Sequence, residues 1–354
     1  MKAFGKVLGL FFLGLLLLVV ALGFALTHLF DPNDYKDEIR QIARDKANLE
    51  LDLKGDIGWS LFPWLGLELH DTSIASAATP TKPFADLQML GLSVRVLPLL
   101  RKDVQMSAIR VEGLSLDLVR DKQGKGNWEN IGKPAQPQAP AAPSATPPAA
   151  DGKGAQAQAP EQAPQNDSPR TPIKLDIDSL NVNNARVTYT DEASGKQYNV
   201  EGIELSTGAI REGSSIPLKL NAYLGTNQPV VRVKTELTGN LRFDTALRRY
   251  QLEDARLSGE ASGEPLQGKT ATFSAQGQLL LDQSAQIAEW NGLKLSVNQL
   301  RALGELKARE LDKDTKFSGG LSIAPMNLRE FLAGIGVTLP AMADANTLGK
   351  FELN

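Results

Sequence analysis

The side chains that most often carry chemistry are scarce in this sequence. There is no cysteine, and the two histidines are His28 and His70. Disulfides, thiolate nucleophiles and cysteine zinc sites are excluded. His28 closes an apolar run, and His70 follows the strand-like stretch "WLGLELHD", which suits a half-exposed histidine at a strand end. "GKGNW" (Gly124–Trp128) lacks the strand–GxxxxGK[ST]–helix setting of a phosphate loop and reads as a hairpin turn. "DEASGK" and "DKDTK" are loop tips with too few oxygen ligands at fixed spacing for calcium. Serines are many, but no GxSxG elbow occurs. The sequence therefore offers no catalytic, metal or cofactor site, and the expectation is a protein that is not an enzyme.

Charge narrows the partners. With 38 Lys+Arg against 41 Asp+Glu, the net charge is −3. No basic patch is present for a nucleic-acid partner.

The first element that could position anything is the run Val7–Phe30, which holds no Asp, Glu, Lys or Arg. As a helix it is roughly 36 Å long at ~1.5 Å per residue, enough for a hydrocarbon core of about 30 Å. Ala21-Leu22-Gly23 is a weak small-x-small site, but apolar sequence continues beyond it to Phe30. An uncut anchor is therefore expected. Lys2 and Lys6 precede it, and Asp31 and Asp34 follow. Residues 1–6 are then cytoplasmic, 7–30 span the membrane, and the rest lies outside. In a bacterium with two membranes, the anchor is an inner-membrane one and the rest is periplasmic.

Asp31 to Lys46 reads as a helix leaving the membrane, with Pro32 in its first turn. Its apolar stripe of Tyr35, Ile39, Ile42 and Ala43 is expected to pack on the following sheet, with the membrane surface as the alternative. From Leu49 the period becomes two: Leu49, Leu51, Leu53; Leu65, Leu67, Leu69; Leu90, Leu92, Val94, Val96. In "IRVEGLSLDLVRD" the phase slips by one at Gly113, as a bulge would cause. Trp59, Phe62, Pro63 and Trp64 mark a bend. Pro134–Pro172 is dominated by Pro, Ala and Gln and cannot offset its ordering entropy, so a disordered linker is expected there. From Ile173 the strands resume with short gaps, which predicts antiparallel meanders. Asn327 with Glu330 three residues on is a capping box for a short helix bearing Leu328, Phe331 and Leu332. Lys350–Leu353 reads as a strand just beginning, so a longer parent is expected.

Several stretches, in order, resemble the AsmA family of inner-membrane-anchored periplasmic proteins. They are the anchor with "DPNDYKDEI", "LDLKGDIGWSLFPWLGLEL", "VLPLLRKDVQMSAIRVEGLSLDLVRDKQGKGNWEN" and "GGLSIAPMNLREFLAGIGV". The family is similar to chorein-type lipid-transfer proteins. The resemblance implies a mainly β fold: an amino-terminal transmembrane helix, then a long curved antiparallel sheet forming an open groove, with a few short helices. Residues 31–133 would be a membrane-proximal chorein-like α+β unit and 173–354 a periplasmic β-rich region. It further implies phospholipid transport between inner and outer membranes and outer-membrane homeostasis, with phospholipid, the inner membrane and envelope proteins as partners. A periplasmic scaffold or chaperone for outer-membrane protein assembly is the alternative.

Patterning alone favours an ordinary sandwich or barrel; the anchor and the resemblance turn the reading towards an open groove. Leu67, Leu90, Leu92, Val94, Leu114 and Leu116 are then the candidate groove-lining residues. Each lies in a period-two run close to the membrane helix.

Overall fold

The computed structural model describes residues 31–60, 65–94, 106–129, 131–132, 176–312, 314–340 and 347–353. The expected anchor Val7–Phe30, the insert Pro134–Pro172 and the bend residues Phe62, Pro63 and Trp64 lie outside them. No described helix is long and apolar enough to cross a membrane.

The described chain begins with a cap. The Asp31 carboxylate accepts from the Asn33 backbone N–H at 2.8 Å and also from the Asn33 side chain, which holds its pKa below the usual carboxylate value. A 3-10 turn, Pro32–Tyr35, leads into helix α1, Lys36–Ala47. Asn33 then clamps this start to the sheet: its side chain accepts from Ile57 N–H at 2.9 Å and donates to Ile57 C=O at 3.2 Å. Lys36 pairs with Asp56, and Arg44 donates to Glu50. These contacts fix the rotation of α1. The helix is half-buried through Lys36, Ile39, Arg40, Ala43 and Ala47. The expected stripe is thus only partly docked, and Tyr35 and Ile42 stay exposed, Ile42 at 60%. Polar clamps and the aliphatic stems of Lys36 and Arg40 decide the orientation, where hydrophobic periodicity alone points elsewhere.

All the described strands belong to one 17-stranded sheet. Strands β1 (Leu49–Leu53) and β2 (Ile57–Ser60) lie end to end against β3 (Leu65–Ser76). Next come β4 (Pro83–Val94), then β5 (Met106–Glu112) and β6 (Ser115–Arg120) end to end, then β7 (Asp176–Asp191). Strand β7 carries β8 (Lys196–Thr207) and the short β9 (Ile210–Arg211) on its other edge. From β8 a meander runs through β10 (Ile216–Asn227), β11 (Val230–Asp244), β12 (Arg249–Gly263) and β13 (Thr270–Asp282). It continues through β14 (Ile287–Val297), β15 (Leu300–Arg309) and β16 (Lys316–Met326) to β17 (Phe351–Leu353). Between the last two, α2 (Leu328–Gly334) is capped as expected, with the Asn327 side chain accepting from Glu330 N–H at 3.2 Å.

Three sequence expectations change. The sheet is mixed, not antiparallel throughout, because β5 and β6 both run parallel to β7. A parallel neighbour needs a crossover of a dozen or more residues, and the segment 121–175 supplies one. Second, His70 lies inside β3, not at its end; the strand continues through a left-handed residue, Asp71 at φ +45°. Third, the phase slip at Gly113 is a break between β5 and β6, with Gly113 at φ +61°. A Cβ there would come within 2.2 Å of the Gln88 side chain. The "GKGNW" stretch does form a turn: Asp121 accepts from the N–H groups of Gln123 and Lys125, and Asn127 N–H returns to Val119 C=O.

Candidate functional site

Directly opposed residues of neighbouring strands share a face. Following them from strand to strand therefore maps the surface. Starting in β2, Ile57 stands opposite Leu69, which stands opposite Leu90, then Val111, then Val182. The row continues through Leu205, Leu220, Leu237 and Leu257. It ends with Ala275, Leu295, Ala302, Ile323 and Leu353. Every position in this ladder is apolar, from β2 to β17.

A second ladder runs beside it. Leu51, Ile74, Ala85, Leu116 and Val187 are successively opposed, followed by Val200, Leu224, Val233, Ala261 and Ala271. In β10 to β13 the two ladders are four residues apart, so both occupy one face. In β7 and β8 they are five apart, which in an unbroken strand would put them on opposite faces. One left-handed residue in each strand restores the phase: Asn184 at φ +51° in β7 and Gly202 at φ +56° in β8. Asp71 and Gly113 extend this seam to β3 and the β5–β6 break, while Asp254 in β12 and Gly292 in β14 lie on the other side of the first ladder. Asn, Asp and Gly are the residues that adopt this conformation at least cost.

Among the described residues no second sheet faces this surface, because a single sheet contains every described strand. Each leucine of the first ladder keeps partial exposure; only Ile57, Ala275 and Ala302 are buried. Towards the hairpin tips at β11–β16 the face widens. Leu241, Leu252, Leu279, Trp290 and Leu306 form one opposed row, and Tyr250, Leu281, Ala288, Ala308 and Phe317 the next. They line a cavity of about 800 Å³. At the other rim, Trp128, Tyr189 and Tyr198 form an aromatic line with centroids 5.9 and 6.0 Å apart.

The opposite face is polar. Asp52, Ser73, Asp86, Ser115 and Arg186 are opposed in turn, and Ser73 donates to Asp86 at 2.7 Å while Arg186 donates to Ser115 at 2.7 Å. The carboxyls with lowered pKa, Asp31, Asp191 and Glu212, lie in a cap, at the end of β7 and just after β9. No group of three His, Asp or Glu among the described residues is placed to hold a metal.

Of the candidates drawn from sequence, Leu67 and Leu92 are opposed to each other, and Leu90 belongs to the first ladder. Val94 lies two residues beyond Leu92 in β4, and Leu116 is in the second ladder. Leu114 falls in the break between β5 and β6, where its carbonyl accepts from Arg186 N–H at 2.8 Å. It lines the polar cavity with Lys54, Asp86 and Arg186. The sequence reading did not single out the wide section. Its signal was muted by the contiguous Leu279, Leu280 and Leu281, which hide the alternation, and by bulges at Asp254 and Gly292, which shift it.

One sheet carrying continuous apolar ladders fits the resemblance drawn from the motifs, and the model of the AsmA family matches residues 1–354. The chain belongs to the AsmA family. No curated protein and no solved structure gives a match. Membership in the AsmA family fits a function related to the cell envelope or the outer membrane. Within this AsmA-family chain, the ladder face is a continuous apolar surface that stays partly exposed among the described residues.

Proposed function

We propose that this chain is an inner-membrane-anchored periplasmic protein that takes part in phospholipid transport between the inner and outer membranes, and so in outer-membrane homeostasis. It works by binding, without catalysing a reaction. Its ladder face holds acyl tails while headgroups stay near water at the rims. Burial of a lipid tail is worth about 0.8 kcal/mol per CH₂, so an unbroken apolar lining lowers the cost of leaving a bilayer at every step.

The observation that carries this reading is the first ladder, apolar at every opposed position from Ile57 to Leu353 and partly exposed along its leucines. A protein that needed only a core would cover it. The test is site-specific photo-crosslinking in cells at Leu92 and Leu116 of the full chain. Phospholipid adducts at both positions are the expected result. Adducts with unfolded outer-membrane polypeptides and none with lipid would replace transport by the scaffold reading. A mature protein whose first residue lies near Phe24 would overturn the anchor.

A further inference from the structure

We propose that the wide section of the apolar face at β11–β16 is a resting site, where an acyl chain is held in preference to the rest of the path. This rests on reading the face as a lipid path and adds that the path is uneven. The cavities at Lys54, Asp86 and Arg186 and at Glu204, Lys234 and Glu236 are lined largely by polar groups. At β11–β16, by contrast, Leu241, Leu252, Leu279, Trp290 and Leu306 add an opposed row, and the resulting cavity of about 800 Å³ falls within the usual range for ligand pockets, ~300–1,000 Å³.

Its outer wall is uncovered: Leu306 is 49% and Phe317 82% exposed. Contiguous bare apolar surface of this kind marks a binding surface. The occupant is an acyl chain because the cavity continues the ladder face on the same side of the sheet. A chain moving along the ladder enters it without crossing the polar face. Beyond Ala308 and Phe317, the next opposed pair is Arg309 and Lys316. One residue on, these side chains turn to the opposite side of the strands, and Lys316 pairs with Glu310, so neither charge enters the cavity.

The experiment uses the full chain reconstituted in vesicles containing phosphatidylethanolamine with a diazirine in one palmitoyl tail. A parallel arm uses diazirine-palmitic acid. After illumination, adducts are mapped by peptide mass spectrometry. Labelling at Leu252, Leu279 and Leu306 should exceed that at Leu205 and Leu220 on the order of tenfold. Leu279→Trp, which fills the cavity, and Phe317→Ser, at an exposed site, should each remove this excess and leave ladder labelling unchanged. Labelling in the acid arm alone supports the site and assigns it to free fatty acid. Even labelling along the ladder overturns the resting site while the transport reading stands. Labelling nowhere on the face overturns both. Crosslinks only between copies of the chain assign the patch to self-association and overturn the proposal.

Discussion

Near α1 the apolar residues are buried: Leu53 is 5% exposed, Ile57 3% and Ala85 2%. Towards the tips of β15 and β16 the same kind of residue stands open, Leu306 half and Phe317 largely bare, although Ala302 of β15 is buried. Both regions belong to one sheet and follow the same alternation. What separates them is cover. The proximal strands are clamped by the 3-10 turn through Asn33 and by α1 through Lys36 and Arg44, and lie beside the collinear β1–β2 and β5–β6 pairs. The distal strands form a plain meander whose described cover is α2 at one end, where Lys269 donates to the Ala333 carbonyl. Apolar patterning therefore does two jobs here, holding the fold together at one end and presenting a surface at the other.

That contrast can be broken by substitution. Leu53→Asp buries an unpaired charge and should cost several kcal/mol, on the order of 4; loss of protease resistance in residues 31–120 is the readout. A variant as resistant as the parent would mean the proximal end is no core. Next in size, Leu87→Ala, at a buried position, should cost about 2–5 kcal/mol. Leu306→Ala, half exposed, should cost under about 1 kcal/mol by denaturant titration. Equal losses at the two sites would erase the distinction. Leu92→Asp and Leu116→Asp occupy half-buried positions between these extremes. Each should destabilise less than Leu53→Asp while abolishing lipid capture.

The smallest effect is set by pH. Asp191 accepts from the Ser194 hydroxyl and from the Ala193 N–H, and both lower its pKa. A depressed carboxylate gives stability that is present above its unfolded pKa and lost as pH falls through the lower folded value. The β7–β8 turn should therefore be unchanged from pH 5 to 8 and loosen only below about pH 4. Amide exchange at Ala193 to Lys196 reports this, and Asp191→Asn should remove the acid dependence. Glu212, held by the Thr245 hydroxyl and N–H, should behave alike. Loosening that begins near neutral pH would point to a different group.

Much of this was legible in the sequence because strands and caps announce themselves locally. Leu49–Leu53, the run around Leu67, the Gly113 slip and the Asn327–Glu330 cap were each readable from spacing alone. Parallel pairing of β5 and β6 with β7 was not, since its partners are separated by 121–175 and no local pattern states the direction of a distant neighbour. The rotation of α1 was hidden because Asn33 and Lys36, not its isoleucines, decide it. Five of the six candidates fall on or beside the ladders, while Leu114 is drawn to the polar cavity by the break that Gly113 makes.

The first ladder also acts as a ruler. It advances one residue per strand, so distance along it is counted in strands, at about 4.8 Å each. From Ile57 to Leu353 that is thirteen steps, or about 60 Å along the surface, twice the hydrocarbon thickness of a bilayer. Removing or inserting one hairpin from the meander would change this reach by about 10 Å while leaving the chemistry of every remaining rung as it was. Length in such a protein is an adjustable quantity, set by repetition and separable from the character of the lining.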